Sequence, residues 1–165
     1  MNTALETFAE KVHLTDPSNQ QLRFAFTYAC AARVRHLLED QAVVDCLGVL
    51  EQFVNRTASL GALELAQHAA ARLANSHAGS KSIDGCGHAA VSATYAVAKA
   101  LAGKALEAAS YAAYATVYAQ GGYAAVADRG SFEPEFAWQV ASLNALAAQL
   151  ASGPDQPPPI ASATR

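Results

Sequence analysis

Histidine and cysteine are the side chains here that could ligate a metal, and His77, Cys86 and His88 lie close together in the sequence. A structural zinc site needs four such ligands, and a catalytic one needs three plus a water. No fourth ligand is evident nearby. Glu10 and His13 form one Glu-x-x-His pair on a predicted helix face, but a di-iron bundle needs two pairs and two further inward carboxylates. The sequence therefore predicts no metal site and no cofactor.

The remaining chemistry would be nucleotide binding or nucleophilic catalysis, and neither pattern is complete. The run 79–82 resembles a phosphate loop, but the Walker pattern requires glycine immediately before the lysine and a preceding strand. Here Ser80 precedes Lys81, and a predicted helix precedes the loop. Cys86 and His88 are two residues apart, so on a helix they point to different faces and cannot act as nucleophile and base. We predict that the protein is not an enzyme.

The elements that position these residues are predicted to be helices. The chain contains 40 alanines in 165 residues, and alanine is the best helix former. The sequence thus predicts an all-α fold, a compact bundle or array of about six to seven antiparallel Ala-rich helices. Apolar residues recur at helical spacing over about 2–13, 19–38, 41–56, 60–77, 85–101, 104–120 and 132–151.

Capping residues and glycines set the predicted ends of these helices. The apolar stripe of the second helix runs as far as His36 and Leu37, and Gly121-Gly122 ends the sixth helix. The fifth and sixth helices carry alanine on almost every side, which places them at the centre of the bundle. The predicted N-caps are Asp40, Ser59, Ser131 and either Ser82 or Asp84.

The chain length fits one domain, predicted over 1–151. Helix pairs 19–56, 60–101 and 104–151 have similar lengths, near the period of HEAT-type repeats. They share no sequence signature, so a compact bundle is favoured, with an array of three hairpins as the open alternative. The Pro-rich tail 152–165 cannot continue a helix and is predicted to be disordered.

The net charge and the hydropathy of the sequence limit where the protein can be located and which classes of partner it can bind. The formal net charge of −3 argues against nucleic acid, which selects basic surfaces. No apolar run approaches the roughly 18 residues of a membrane span, and the first residues do not resemble a signal peptide. The three cysteines are an odd number in helical contexts, as expected of reduced thiols. We therefore predict a cytoplasmic protein that binds neither membrane nor nucleic acid.

Several side chains are candidates for contact with another protein. Tyr111, Tyr114 and Tyr118 share one helix face, which suits either a core edge or a contact surface. Trp138 lies off the apolar stripe of its helix, and tryptophan is enriched at interface hot spots. An acidic face on the third helix would suit a basic partner. The residues predicted to bind a partner are Asp45, Glu51, Tyr114 and Trp138.

Four segments resemble the immunity-protein-5-like group of bacterial helical proteins. They are 28–40 (YACAARVRHLLED), 65–72 (LAQHAAAR), 87–95 (GHAAVSATY) and 108–115 (AASYAAYA), and the similarity covers about 22–120. The resemblance implies an intracellular, non-enzymatic protein that binds and neutralises a cognate toxin of a polymorphic toxin system. It carries over no active-site residues.

Two other functions stay open beside the immunity protein. One is a small-molecule or anion binder with a pocket near the 78–88 loop, between the fourth, fifth and sixth helices. The other is a metal enzyme that uses His77 and His88. A homodimer also stays open. The residues predicted to bind a ligand are His77, Lys81, His88, Tyr95 and Tyr111.

Overall fold

A computed structural model describes residues 2–79 and 86–152, and every regular element in them is helical. The all-α array of six to seven helices is confirmed for this part of the chain. Residues 153–165 of the predicted tail and the proposed caps Ser82 and Asp84 lie outside it. The α-helices are α1 (Thr3–Lys11), α2 (Gln20–Arg33), α3 (Gln41–Val54), α4 (Leu60–Asn75), α5 (Cys86–Leu101), α6 (Ala105–Ala127) and α7 (Glu133–Ala151).

Two predicted N-caps are confirmed and one is wrong. The Asp40 carboxylate accepts a hydrogen bond from the Ala42 backbone N–H, and the Ser59 hydroxyl accepts one from that of Ala62. Ser131 does not cap α7, which begins after Phe132 without a side-chain cap. The chain before α7 instead forms a 3-10 turn over Arg129–Phe132, and the carboxylate of Asp128 caps this turn.

The predicted end of α2 needs correction, and the predicted end of α6 is a break after which a further helical segment follows. α2 ends at Arg33, and a 3-10 turn follows, so His36 is exposed instead of lying on the apolar stripe. The physical reason is that Asp40, the N-cap of α3, has an extended backbone conformation. The chain must therefore leave the helical conformation before it reaches Asp40. Gly121-Gly122 interrupts α6 as predicted, because both residues have non-helical backbone angles, but the helix resumes beyond them and reaches Ala127.

Helices α5 and α6 lie at the centre, as their alanine content predicts. One core cluster joins Val97 and Leu101 of α5 to α2, α3 and α4. A second cluster joins Ala96 of α5 and Ala112 of α6 to α1, α2 and α7. Because alanine side chains are small, the two helix backbones can approach closely. The pair therefore forms a layer with helices packed on both sides.

Contacts of α2 favour the compact bundle over an array of hairpins. Phe26 and Cys30 of α2 share the second core cluster with Leu143 of α7, at the far end of the chain. Repeats of a solenoid contact only their neighbours. A buried polar network closes the same side, since the Asn2 amide donates to Gln139 Oε1 at 3.1 Å, and the Gln139 amide donates to the Ala109 carbonyl at 2.8 Å.

Within residues 2–79 and 86–152, none of the helices combines the length and the apolar character that a bilayer crossing requires.

Candidate functional site

Tyrosine is concentrated on the central hairpin: five of the six tyrosines lie on α5 and α6. Two ring pairs bridge these helices. Tyr95 stacks on Tyr111 with centroids 5.1 Å apart, and His88 stacks on Tyr118 with centroids 5.2 Å apart. Partners on each helix are seven residues apart, which is about two helical turns. The hairpin thus carries two similar aromatic pairs at different levels.

The pair His88–Tyr118 contacts two further rings, those of Tyr114 and Tyr123. We call the group His88, Tyr114, Tyr118 and Tyr123 the aromatic surface. The Tyr123 ring packs edge-on against both His88 and Tyr118, with centroids 5.0 Å and 5.9 Å away. The Tyr123 hydroxyl also forms a hydrogen bond with His88 Nε2. Tyr123 is 63% exposed and Tyr114 is 41% exposed, so the group presents rings and hydroxyl groups to solvent.

A break in α6 brings Tyr123 into this group. On a continuous helix, Tyr118 and Tyr123 would point about 140° apart, because each residue turns the chain by about 100°. The backbone leaves the helical region at Gly121 and Gly122, and Gly122 adopts φ 59° and ψ −143°. Only glycine enters that region without strain. The two glycines therefore allow Tyr123 to pack beside Tyr118.

The residues predicted to bind a ligand do not converge in one described pocket. Tyr95 and Tyr111 are together, and the Tyr95 hydroxyl donates to Asn75 Oδ1 at 3.2 Å. His88 belongs to the aromatic surface instead. His77 lies in a separate cleft between α3 and α4, where its Nδ1 accepts a hydrogen bond from the Gly79 backbone at 3.0 Å. Lys81 lies outside the described residues, so this binding site stays a prediction.

The residues predicted to bind a partner are also dispersed. Tyr114 is exposed on the aromatic surface, whereas Trp138 is half-buried with the Arg33 guanidinium 4.3 Å above its ring. Asp45 is exposed on α3 and accepts a hydrogen bond from the Gln41 side chain. Glu51 is half-buried. Of the four, Tyr114 alone contributes to the aromatic surface.

Glu51 has a local role that its place in an acidic patch does not reveal. Desolvation by burial, followed by the hydrogen bond and the charge of Glu51, raises the pKa of Tyr28 to about 12. The Glu51 carboxylate is therefore a close neighbour of the Tyr28 side chain on α2.

Sequence reasoning missed an ion pair between α2 and α7. Arg33 Nε contacts Glu135 Oε2 at 2.7 Å, and Glu135 is 2% exposed. Its second oxygen, Oε1, is buried without a hydrogen-bond partner among the described residues. A charged residue in the first turn of a helix is usually solvated, so this burial could not be predicted from residue type and position. Tyr123 was missed because no helix was predicted between Gly121-Gly122 and residue 132.

Cysteine and metal chemistry can be judged in the described part of the chain. Burial is the main cause that raises the pKa of the Cys30 and Cys46 thiols, and neither forms a disulfide. Glu10 and His13 were expected to share a helix face, but they do not, because α1 ends at Lys11 and His13 has φ 50°. Residues 2–79 and 86–152 contain no group of three or more His, Cys, Asp or Glu side chains placed to hold a metal ion.

No protein-family model matches the chain, and it matches no curated protein and no solved structure. The resemblance to the immunity-protein-5-like group therefore stays a prediction that rests on the sequence segments alone.

Proposed function

We propose that this protein is an immunity protein that binds a cognate toxin and neutralises it by covering its surface, without chemistry of its own. Two lines support the proposal. The sequence resemblance suggests the toxin as partner, and the exposed aromatic surface supports protein binding. The aromatic surface is the observation that carries the proposal, since His88, Tyr114 and Tyr123 are exposed around the half-buried Tyr118 on the central helices of the fold.

Tyrosine suits such a contact for physical reasons. Its ring provides a large apolar area, its hydroxyl supplies a hydrogen bond, and it has few rotatable bonds to immobilise. Tyrosine is accordingly enriched among the residues that dominate binding energies. Tyr114 and Tyr123 pack against neighbouring rings on one side and leave much of each ring open to solvent. Docking of a partner would remove both rings from water.

The aromatic surface is also held in place before binding. Tyr118 is stacked on His88 and flanked by Tyr114 and Tyr123, so each ring limits the rotation of its neighbours. Binding to a preorganised surface loses less side-chain entropy than binding to flexible side chains. The net charge of −3 further favours a basic partner, because opposite charges speed association.

The test is co-expression with the protein encoded by the neighbouring gene, which we expect to be the toxin. We expect the wild-type chain to restore growth of a sensitive host, and the Tyr123→Ala variant to bind the purified toxin about 30-fold more weakly, about 2 kcal/mol. Leu65→Ala is the matched control. Leu65 is 74% exposed on α4, outside the aromatic surface, and its loss should leave binding unchanged.

Circular dichroism of both variants would verify that the helices are retained. If the wild-type chain neither binds the toxin nor restores growth, the immunity function is wrong. If Leu65→Ala weakens binding and Tyr123→Ala does not, binding occurs but the aromatic surface is not the interface.

A further inference from the structure

The second half of α6 turns back over the start of α7 and leaves a cleft of about 420 Å³. This volume is within the range of small-molecule sites, which is about 300–1,000 Å³. The cleft contains neither His88 nor Tyr118 nor Tyr123, and it shares only Tyr114 with the aromatic surface. We call it the kink cleft, and the residues that define it are Ser110, Tyr114, Val126, Arg129, Phe132 and Phe136.

Aromatic rings form the apolar wall of the kink cleft. The Tyr114 ring meets the Phe132 ring edge-on, with centroids 5.1 Å apart, and Phe136 follows at 5.5 Å from Phe132. Val126 packs against the same small core cluster. A wall of this kind favours a ligand with a flat or branched apolar body, because ring–ring contacts add to the gain from buried area.

The polar groups of the kink cleft are donors without partners in the described part of the chain. Arg129 is exposed and forms none of the ion pairs found there. The adjacent Asp128 carboxylate is used by the turn, where it accepts from the Gly130 backbone at 3.0 Å and from the Ser131 hydroxyl at 3.3 Å. Arg129 thus lines the kink cleft together with the aromatic wall, and its guanidinium donors have no partner in the described part of the chain.

Hydroxyl groups add to this donor set. Ser110 and Tyr114 both line the kink cleft, and neither hydroxyl is hydrogen-bonded to another described residue. A guanidinium binds a carboxylate through two parallel N–H···O bonds, a geometry that lysine cannot supply. Charge and shape together specify a ligand with a carboxylate at one end and an apolar body at the other.

We propose that the kink cleft binds a small organic carboxylate with an aromatic body, whose carboxylate is held by Arg129 and whose ring packs against Tyr114, Phe132 and Phe136. This site shares only Tyr114 with the proposed toxin interface, and neither proposal requires the other. A ligand here would touch Tyr114 from the cleft side, while Tyr123 and His88 stay uncovered.

The test uses 3-phenylpropionate as the probe and 3-phenylpropanol as its uncharged counterpart, titrated into the full chain by calorimetry up to about 10 mM, the range of weak fragments. We expect the carboxylate to bind about tenfold more tightly than the alcohol, because charge-assisted hydrogen bonds are stronger than neutral ones. Acetate, which lacks the ring, should not bind measurably.

Three variants sharpen the assignment. Arg129→Gln should abolish the tenfold preference for the carboxylate, whereas Arg72→Gln, an exposed arginine on α4, should preserve it. Ala127→Leu fills the kink cleft from an exposed position and should block both probes without disturbing the core.

The proposal is overturned if neither probe binds, if the alcohol binds as tightly as the carboxylate, or if Arg129→Gln leaves the preference intact. Binding that survives Ala127→Leu would place the ligand elsewhere and overturn it as well. Loss of toxin binding by Tyr123→Ala is a different measurement, so the two proposals can fail separately.

Discussion

The two aromatic pairs of the central hairpin have the same spacing but different surroundings. Tyr95 and Tyr111 pack against the two large core clusters, and Asn75 of α4 accepts a hydrogen bond from Tyr95. His88 and Tyr118 belong to neither cluster, and their ring neighbours, Tyr114 and Tyr123, are themselves exposed. An aromatic stripe therefore stabilises the fold where other helices cover it and is available for binding where they do not.

The largest expected effect is on partner binding. It should be seen for the pair His88–Tyr118 and not for the pair Tyr95–Tyr111. Tyr118→Ala should weaken binding of the cognate toxin by about 2 kcal/mol, because it removes the ring that holds the aromatic surface together. Tyr111→Ala should leave the affinity nearly unchanged while it lowers the melting temperature. Titration calorimetry and thermal unfolding of both variants would check this, and equal affinities would remove the functional distinction between the pairs.

The next effect tests the break that brings Tyr123 to the exposed pair. Gly122→Ala should destabilise the protein by about 1–3 kcal/mol, because a side chain is strained at φ 59° and ψ −143°. Gly48→Ala in α3 is the control, since a Cβ there meets nothing within 4 Å and alanine favours helix. Chemical denaturation measures both, and a neutral Gly122→Ala would mean that the break tolerates side chains.

A smaller effect is expected at the hydroxyl of the covered pair. Tyr95→Phe removes the hydrogen bond to Asn75 and should cost about 0.5–1 kcal/mol of unfolding free energy. Leu65→Ala on the exposed face of α4 serves as the comparison and should be nearly neutral. A stabilising Tyr95→Phe would show that Asn75 prefers water to the tyrosine hydroxyl.

The smallest effect concerns an ion pair beside the covered pair. The hydrogen bond and charge of Lys99, opposed by desolvation, lower the pKa of Glu107, and their side chains approach to 2.6 Å. A carboxylate with a lowered folded-state pKa stabilises the fold above its unfolded pKa, and this contribution is lost as pH falls through the folded-state pKa. Glu107 is half exposed, so screening limits the contribution to a few tenths of a kcal/mol.

Chemical denaturation of Glu107→Gln and of the wild-type protein, between neutral and acidic pH, would measure the contribution of this ion pair to the free energy of unfolding. The two proteins should differ slightly at neutral pH and converge as Glu107 becomes protonated. A difference that persists at low pH would assign the effect to helix propensity or packing instead of charge.

Most of the fold follows from local signals in the sequence. Asp40 and Ser59 cap the helices that they were predicted to cap, and the alanine-rich segments lie in the centre. The errors occur where contacts between distant segments decide. The break at Gly121-Gly122 was predicted, but the helical segment that follows it and the packing of Tyr123 on His88 were not.

The candidate site was less predictable than the fold for the same reason. Periodicity put Tyr114 and Tyr118 on one face, but it could not show which neighbouring helix covers each ring. His88 and Tyr123 are 35 residues apart and meet through a bend that has no sequence periodicity. Trp138 was predicted to lie off the apolar stripe of its helix, but it packs against the second core cluster, and Arg33 from a distant helix covers it.

Arg33 above Trp138 also gives the molecule a built-in optical reporter. The chain has a single tryptophan, so its fluorescence arises from one place, the contact between α2 and α7. A guanidinium near the ring and a buried carboxylate behind it make that environment unlike water. A change in emission would therefore record the separation of two helices that are far apart in the chain, without any added label.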